Sequence, residues 1–173
     1  MAVSGSTDFE PDITEFIEEA YERCGLELRT GYDLRTAIRS ANLMLAEWAN
    51  RGLNQWTIAT GTQTVTEGTA SYQLGTDVID VLDVVVRRTV GSNTTDTRLE
   101  RVSRSEYFNI PNKDTKARPS QFFLDKQNNP TLFIYPAPEN STDIIRFNKL
   151  TRLDDADNAR NTMDIPFRFY PCF

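Results

Sequence analysis

Apolar residues near the start of the chain recur with the 3.6-residue period of an amphipathic helix. The series consists of Ile13, Phe16, Ile17, Ala20, Tyr21 and Cys24. Asp12 and Glu15 have the spacing of a capping box at its start, and Gly25 is placed to end the helix in the left-handed conformation. Because Cys24 continues the apolar stripe, we predict that it is a small core residue rather than a reactive thiol.

The same period returns between Asp33 and Arg51 and predicts a second helix. Its apolar stripe consists of Leu34, Ala37, Ile38, Ala41, Leu45 and Trp48. Thr30 or Asp33 is placed to cap the start, and Gly52 follows the end. Because the linker between the helices is short, we expect an antiparallel hairpin with Trp48 as an anchor between the helices, the alternative for Trp48 being an interface.

Beyond Gly52 the period falls to two, and segments rich in threonine and β-branched residues predict strands. The predicted strands are 55–60, 62–66, 71–74, 78–88, 98–102, 121–126, 131–135 and 143–150, with a short helix at 103–107 and a polar loop at 109–119. Gly61 and Gly68 are interpreted as breaks, and 91–93 as a turn. The run from Val78 to Val86 mixes alternation with continuous apolar residues, which indicates a strand buried on much of both faces.

These elements predict an α+β fold. We expect a platform made of the antiparallel helical hairpin and a C-terminal helix, from residues 1–53 and 151–173, with the β-rich region 54–150 inserted as an antiparallel β-sandwich or small barrel. The C-terminal helix begins near Ile165 and contains the aromatic residues Phe167, Phe169, Tyr170 and Phe173. A helix of about two turns is marginal alone, so we expect these aromatics to meet a partner surface or to precede further chain.

Charge is unevenly distributed along this acidic chain, whose net charge is −6. The first 22 residues carry −7, whereas region 87–118 holds eight basic and four acidic residues. We predict that these two regions meet between copies of the chain, the alternative being a solvated helix and an unrelated basic loop. The candidate contact residues are Glu15, Glu18, Glu19 and Glu22 on one side, and Arg87, Arg88, Arg101 and Arg104 on the other.

The chain contains no histidine, which excludes Ser-His-Asp and Cys-His catalysis and histidine-bound zinc and leaves only carboxylate or lysine chemistry open. It also has no glycine-rich phosphate loop of the kind that binds nucleotides. We therefore predict no cofactor, and with no motif for metal binding or catalysis we predict no metal site and no catalytic residue. Cys24 and Cys172 lie at opposite ends, and no apolar run approaches about 18 residues. Because the two cysteines form no disulfide framework and no leader peptide is visible at the start, we expect an intracellular setting. Because histidine is missing, we expect a non-enzymatic protein.

Three stretches resemble a known family of phage proteins. Residues 42–54, NLMLAEWANRGLN, followed by Trp56, resemble the LMxxEWxxxG helix of phage head-to-tail adaptor proteins. Residues 101–135, with SRSEY and RPSQFF, resemble the adaptors of short-tailed phages, often called tail tubular protein A-like or packaged-DNA-stabilisation proteins. Residues 164–171 are similar to the start of the C-terminal helix of these adaptors, which continues further in relatives.

The resemblance implies a non-enzymatic virion protein, made in the host cytoplasm and located in the tail or neck. Such adaptors form a ring, usually of twelve copies, between the portal protein and the tail nozzle protein. The ring surrounds the channel through which double-stranded DNA is ejected, without sequence-specific binding and without a membrane. We expect Phe167, Phe169 and Phe173 at a subunit or partner interface. The alternative functions for the whole chain are a glycan-binding β module of a phage tail or adhesin and a carboxylate glycosidase.

Overall fold

Helix α1 spans Ile13–Arg23 in the computed structural model, which describes residues 5, 9–52, 56–156 and 160–172. The predicted capping box is confirmed: the Glu15 amide donates to the Asp12 side chain at 2.9 Å, and the Asp12 amide donates to the Glu15 side chain at 3.1 Å. Gly25 follows the helix with a φ of 71°, which is the left-handed conformation predicted for it.

Helix α2 spans Gly31–Asn50 and is capped by Thr30, whose side chain accepts from the Asp33 amide. The helix therefore begins two residues before Asp33, because Asp33 acts as the third residue of a second capping box. One hydrophobic cluster joins the two helices to the segment that precedes the C-terminus. Its buried members are Ile13, Ile17, Leu45, Leu153, Ala156, Met163 and Ile165. Trp48 is partly buried against this cluster.

The prediction that Cys24 is a core residue is wrong. Ile13 and Ile17 are 1% and 5% exposed, but Ala20 and Cys24, which continue the same stripe, are exposed. The hydrophobic cluster of this part of the chain buries Ile13 and Ile17 and also contacts Tyr21, but it leaves Ala20 and Cys24 exposed. Helical periodicity identifies the apolar face, and tertiary packing decides how much of that face is buried.

The chain divides into two compact units, Met1–Trp56 with Leu153–Phe173, and Thr57–Arg152. The second unit contains, in chain order, β1 Ile58–Thr64, β2 Ser71–Gln73, β3 Val78–Val90, β4 Asn93–Arg98, β5 Glu100–Arg101, α3 Arg104–Phe108, β6 Gln121–Asp125, β7 Thr131–Tyr135 and β8 Ile144–Thr151. They form two four-stranded sheets, ordered β1-β8-β3-β4 and β2-β7-β6-β5. The predicted α+β class is confirmed.

Neighbouring strands run antiparallel with one exception: β5 and β6 pair in parallel, unlike the wholly antiparallel region predicted. Both sheets contribute to one hydrophobic core. Its members are Val65, Tyr72, Leu74, Val78, Val81, Val84, Val86, Leu99, Phe122, Leu124, Leu132, Ile134, Ile145 and Phe147. The hairpin predicted at 121–135 is present as β6 and β7, paired in register across a turn at 126–130.

Strand β3 is buried on one face, not on both as predicted. Its buried positions are Val78, Val81, Val84 and Val86, whereas Ile79 and Leu82 are 39% and 42% exposed. The pairing with β8 shifts register between Val78 and Asp80 and again between Val81 and Asp83. Each irregularity adds one residue to β3 and changes which side chains point inward. The buried positions are therefore three residues apart from Val78 to Val84 and two residues apart from Val84 to Val86.

Strand β1 runs through Gly61, so the prediction of a break there is wrong. A Cβ atom at Gly61 would lie 2.5 Å from the ring of Phe147 on β8, and glycine leaves room for that ring. The predicted start of this strand at Gln55 lies outside the described residues. The predicted turn at 91–93 joins β3 to β4, with Gly91 at a φ of 62°.

The C-terminal helix is a 3-10 helix, Phe167–Cys172, rather than the start of an α-helix. Pro171 lies inside it and has no N–H to donate to the carbonyl four residues earlier, so the α-helical pattern is interrupted at that position. Phe173, a predicted interface residue, lies outside the described residues. In the other unit, the short helix predicted at 103–107 is α3, capped by Ser103 with Glu106.

Candidate functional site

The acidic residues of α1 lie on the helix surface opposite the buried stripe. Glu15, Glu18, Glu19 and Glu22 are all exposed. Glu15 is held in the capping box, and Glu19 accepts a 2.8 Å hydrogen bond from Arg23. Glu18 and Glu22 are one helical turn apart, and no ion pair is found for either among the described residues. These two carboxylates are therefore available to an external cation.

The basic residues chosen from the sequence are paired within their own unit. Arg87 donates two hydrogen bonds to Asp96, at 2.7 and 2.6 Å. Arg101 donates to Asp80 at 2.9 Å, and Asp80 also accepts from Lys126. Since these cations are neutralised internally, the net positive charge counted along the sequence overstates the field that the segment presents to a partner.

Arg88 is the most strongly paired of the four predicted arginines. It donates to both carboxylate oxygens of Asp143 at 2.8 to 3.1 Å and to Glu139 at 2.7 Å. Burial by itself raises the pKa of the Asp143 carboxyl, which is 3% exposed, but hydrogen bonds from Arg88 and Asn140 outweigh burial. They hold the pKa of Asp143 below its ordinary value of 3.8, so the carboxylate is charged at neutral pH.

Arg104, the fourth predicted arginine, is exposed at the start of α3. Its guanidinium lies 3.9 Å from Asp125 and 5.6 Å from the centre of the Phe108 ring. Phe108 is 60% exposed, whereas its neighbour Tyr107 is buried. Tyr107 packs against the second sheet, with ring centres 5.7 Å from Phe123 and 5.5 Å from Phe133. Arg104 and Phe108 thus form a small cationic and aromatic surface on α3.

Arg146 on β8 is a cation that the sequence analysis did not select. It lines a groove of about 530 Å³ together with Thr62, Thr64, Arg87 and Ile144. Its charge contributes to lowering the pKa of Asp96, yet no hydrogen-bonded ion pair is found for it among the described residues. Arg146 and Ile144 alternate with buried Ile145 and Phe147, so the alternating pattern of β8 was the signal that placed Arg146 on the outer face.

The aromatic residues near the C-terminus divide into an exposed and a packed set. Phe167 is 67% exposed and lies 6.3 Å from Phe9, which is equally exposed. Phe169 is half-buried against Trp56, with ring centres 4.8 Å apart. The Trp56 indole N–H donates to the Asp164 carbonyl at 3.0 Å and fixes this arrangement. Phe167 is therefore the described residue of the predicted aromatic interface that remains open to a partner.

The first sheet exposes two long edge strands, β1 and β4, which the sequence analysis did not identify as functional. Most residues of both strands are exposed. Strand β4 was missed because its sequence, NTTDTR, has no apolar residue to mark an inward face. By contrast, the edge strands of the second sheet, β2 and β5, are only three and two residues long.

No cluster of three metal-ligating side chains occurs in the ranges that the structure describes. Within the same residues, no helix combines the length and the apolar character needed to cross a membrane. A groove of about 1070 Å³ in the first unit is lined by Ile13, Leu45 and polar residues of the 154–164 segment.

Comparison with known proteins identifies the family. Residues 11–172 match the family model of the SU10 adaptor protein. No curated protein matches the chain. The family match confirms the resemblance to phage head-to-tail adaptors and includes both units of the chain. It indicates a structural protein of the tail or neck of the virion that associates with portal and tail components. With nearly its whole length matched, the chain belongs to the SU10 adaptor protein family.

Proposed function

We propose that the chain is one subunit of a closed adaptor ring that joins the portal protein to the tail nozzle protein. The ring has twelve copies and surrounds the channel through which double-stranded DNA leaves the head during ejection. The observation that carries this proposal is the family match over residues 11–172. The role is structural, and the ring acts by binding its neighbours rather than by catalysis.

In this proposal the two units supply two different parts of the adaptor. The first unit, Met1–Trp56 with Leu153–Phe173, supplies the helical platform of the antiparallel hairpin and the C-terminal helix, predicted for residues 1–53 and 151–173. The second unit, Thr57–Arg152, supplies the inserted β-sandwich or barrel, predicted for residues 54–150. The hydrophobic core shared by the two sheets supports the sandwich, since sheets that pack face to face bury the inner side chains of both.

Contacts between neighbouring copies include the acidic helix α1 and the basic segment 87–118. Glu18 and Glu22 supply the carboxylates that have no ion pair of their own in the described residues. Because Arg87, Arg88 and Arg101 already bind carboxylates, this contact sets the register between subunits more than their affinity. Phe167 is open to a portal or nozzle surface, and its exposed ring supplies apolar contact area.

DNA passes through the ring without sequence-specific binding. Affinity for phosphate depends on lysine and arginine residues that replace counterions. The chain carries 25 acidic and 19 basic residues, and many of the arginines are bound to carboxylates. A channel with little free positive charge lets the genome slide past without being held.

Native mass spectrometry of the full chain, alone and mixed with purified portal rings of the same phage, tests this proposal. We expect a complex with one adaptor copy per portal subunit, and imaging of the complex should show an adaptor ring at the tail side of the portal. A chain that remains monomeric in the presence of portal rings contradicts the proposal. Bovine serum albumin, a similarly acidic protein, serves as the control for nonspecific adsorption.

A further inference from the structure

Strands β1 and β4 form the two opposite edges of one sheet. Seven residues of β1 and six of β4 lie at these edges, long enough for each to pair with another strand. Within the described residues, β1 pairs only with β8, and β4 pairs only with β3. Each edge therefore presents a row of backbone groups that have no strand partner.

Two backbone hydrogen bonds at the ends of β1 show which of its N–H and C=O groups have no strand partner. The Thr151 amide donates to the Thr57 carbonyl, and the Val65 amide donates to the Asp143 carbonyl. In an antiparallel pair, hydrogen-bonded residues alternate along each strand with residues whose backbone groups point away from the partner strand. The N–H and C=O groups of the odd-numbered residues of β1 therefore point towards β8. The N–H and C=O groups of Thr60 and Thr62 consequently face outward from the edge.

The same alternation applies to β4. The Leu99 amide donates to the Val84 carbonyl, so the N–H and C=O groups of the odd-numbered residues at this edge point towards β3. The backbone groups of Thr94, Asp96 and Arg98 therefore face outward.

Neither edge has the features that protect an edge strand from pairing. Proteins commonly block such edges with lysine, proline, a bulge or a very short strand. Strand β1 has the sequence IATGTQT, with no charge, no proline and no register shift. The two charged side chains of β4 are bound across the sheet, Asp96 to Arg87 and Arg98 to Asp83. The second sheet, with edges of three and two residues, is protected by length.

We propose that β4 of one copy pairs with β1 of the next copy and that this backbone pairing is the joint between adaptor subunits. The inference rests on the proposed ring. Three successive antiparallel pairings separate β1 from β4, so the two strands run in opposite directions, and a second copy in the same orientation extends the sheet by a further antiparallel pair. The contact joins two different edges and is therefore heterologous, the type of contact whose repetition closes a ring.

Two proline variants test the joint on the full chain with portal rings. Thr62→Pro removes an outward N–H of β1, and Thr94→Pro removes one of β4, while neither N–H donates within the sheet. Each variant alone should load fewer than about one tenth of the wild-type copies onto portal rings. Thr62→Val and Thr94→Val keep the N–H and should load as the wild type does.

Mixing the two proline variants gives a sharper result. The intact β4 of Thr62→Pro pairs with the intact β1 of Thr94→Pro, while the remaining edges are blocked. Native mass spectrometry should therefore detect a 1:1 pair that does not grow further. Larger assemblies from the mixture would overturn the proposal, and so would the absence of the pair.

Residue-resolved hydrogen exchange of the wild type provides a readout that does not depend on whether a proline variant folds. The Thr60, Thr62 and Thr94 amides should exchange at least about tenfold more slowly in the assembled ring than in the free chain. Unchanged exchange at these amides in an assembled ring overturns the edge joint and leaves the adaptor function standing, as does wild-type loading by both proline variants. A wild-type chain that does not load onto portal rings overturns both.

Discussion

Gly61 on β1 lies directly opposite Phe147 on β8, and the Phe147 ring occupies the space where a side chain at position 61 would begin. A Cβ atom there would lie 2.5 Å from one ring carbon and 2.6 Å from another. Phe147 is a buried member of the core that both sheets share. The glycine in β1 is thus required by a residue more than eighty positions further along the chain.

Gly61→Ala should lower the free energy of unfolding of the β unit by about 1–3 kcal/mol, because the methyl group forces the Phe147 ring out of its packed position. Urea denaturation followed by far-UV circular dichroism measures the change. Gly31→Ala, at the first residue of α2 where nothing lies within 4 Å, is the matched control and should leave the stability unchanged or slightly raised. Equal stabilities of wild type and Gly61→Ala would contradict the steric explanation.

Local signals were sufficient to predict helices α1, α2 and α3 and the hairpin of β6 and β7. The capping box of Asp12 and Glu15, the glycine after α1 and the turn at 91–93 each depend on residues within a few positions of one another. The α+β class follows from the change of period after α2. These features are encoded locally, so no knowledge of distant contacts is needed.

Several of the mispredicted features depend on distant residues. The role of Gly61 depends on Phe147, and the irregularities of β3 depend on its pairing with β8. The same applies to the candidate site. The segment charge at 87–118 suggested free cations, but Arg88 binds Asp143, 55 positions away, and a count of charges along the sequence contains no information about such pairs.

Asp143→Asn should lower the free energy of unfolding by about 3 kcal/mol, since the variant removes the charged partner of Arg88 at a buried position. Asp96→Asn is the matched control on the same sheet. Asp96 binds Arg87 with similar geometry, but its side chain is 39% exposed, so the expected loss is below about 1 kcal/mol. Urea denaturation at neutral pH measures both. A larger loss for Asp96→Asn than for Asp143→Asn would contradict the dependence on burial.

The stability contributed by Asp143 should depend on pH in a defined direction. The pKa of Asp143 is lower in the folded chain than its ordinary value of 3.8. A group with a lowered folded pKa contributes stability above its unfolded pKa and loses that contribution as pH falls through the folded pKa. The difference in unfolding free energy between wild type and Asp143→Asn should therefore be constant near neutral pH and shrink below about pH 4. A difference that stays constant into that acidic range would show that the carboxylate charge is not its source.

Reversing charge on the exposed face of α1 should weaken ring assembly. The double variant Glu18→Lys with Glu22→Lys leaves the capping box and the Glu19–Arg23 pair intact. Its loading onto portal rings should be about tenfold weaker at low salt, with the difference decreasing at high salt as the charges are screened. The single variants Glu18→Lys and Glu27→Lys each raise the net charge by 2, so Glu27→Lys, which is exposed and outside α1, is the control for net charge against Glu18→Lys. Loading equal to the wild type at both salt concentrations would exclude an electrostatic role for α1.

Substitutions of two aromatic residues of the C-terminal 3-10 helix should have different effects, one on stability and the other on partner binding. Phe169 packs against Trp56, so Phe169→Ala should lower the free energy of unfolding by about 2 kcal/mol, less than for a fully buried phenylalanine. Phe167 is 67% exposed, and Phe167→Ala should change stability by less than about 0.5 kcal/mol while reducing the copies bound to portal rings. Denaturation followed by tryptophan fluorescence and a portal-loading assay measure the two effects. If Phe167→Ala loads as the wild type does, Phe167 is not part of the portal contact, and the exposed ring serves another surface.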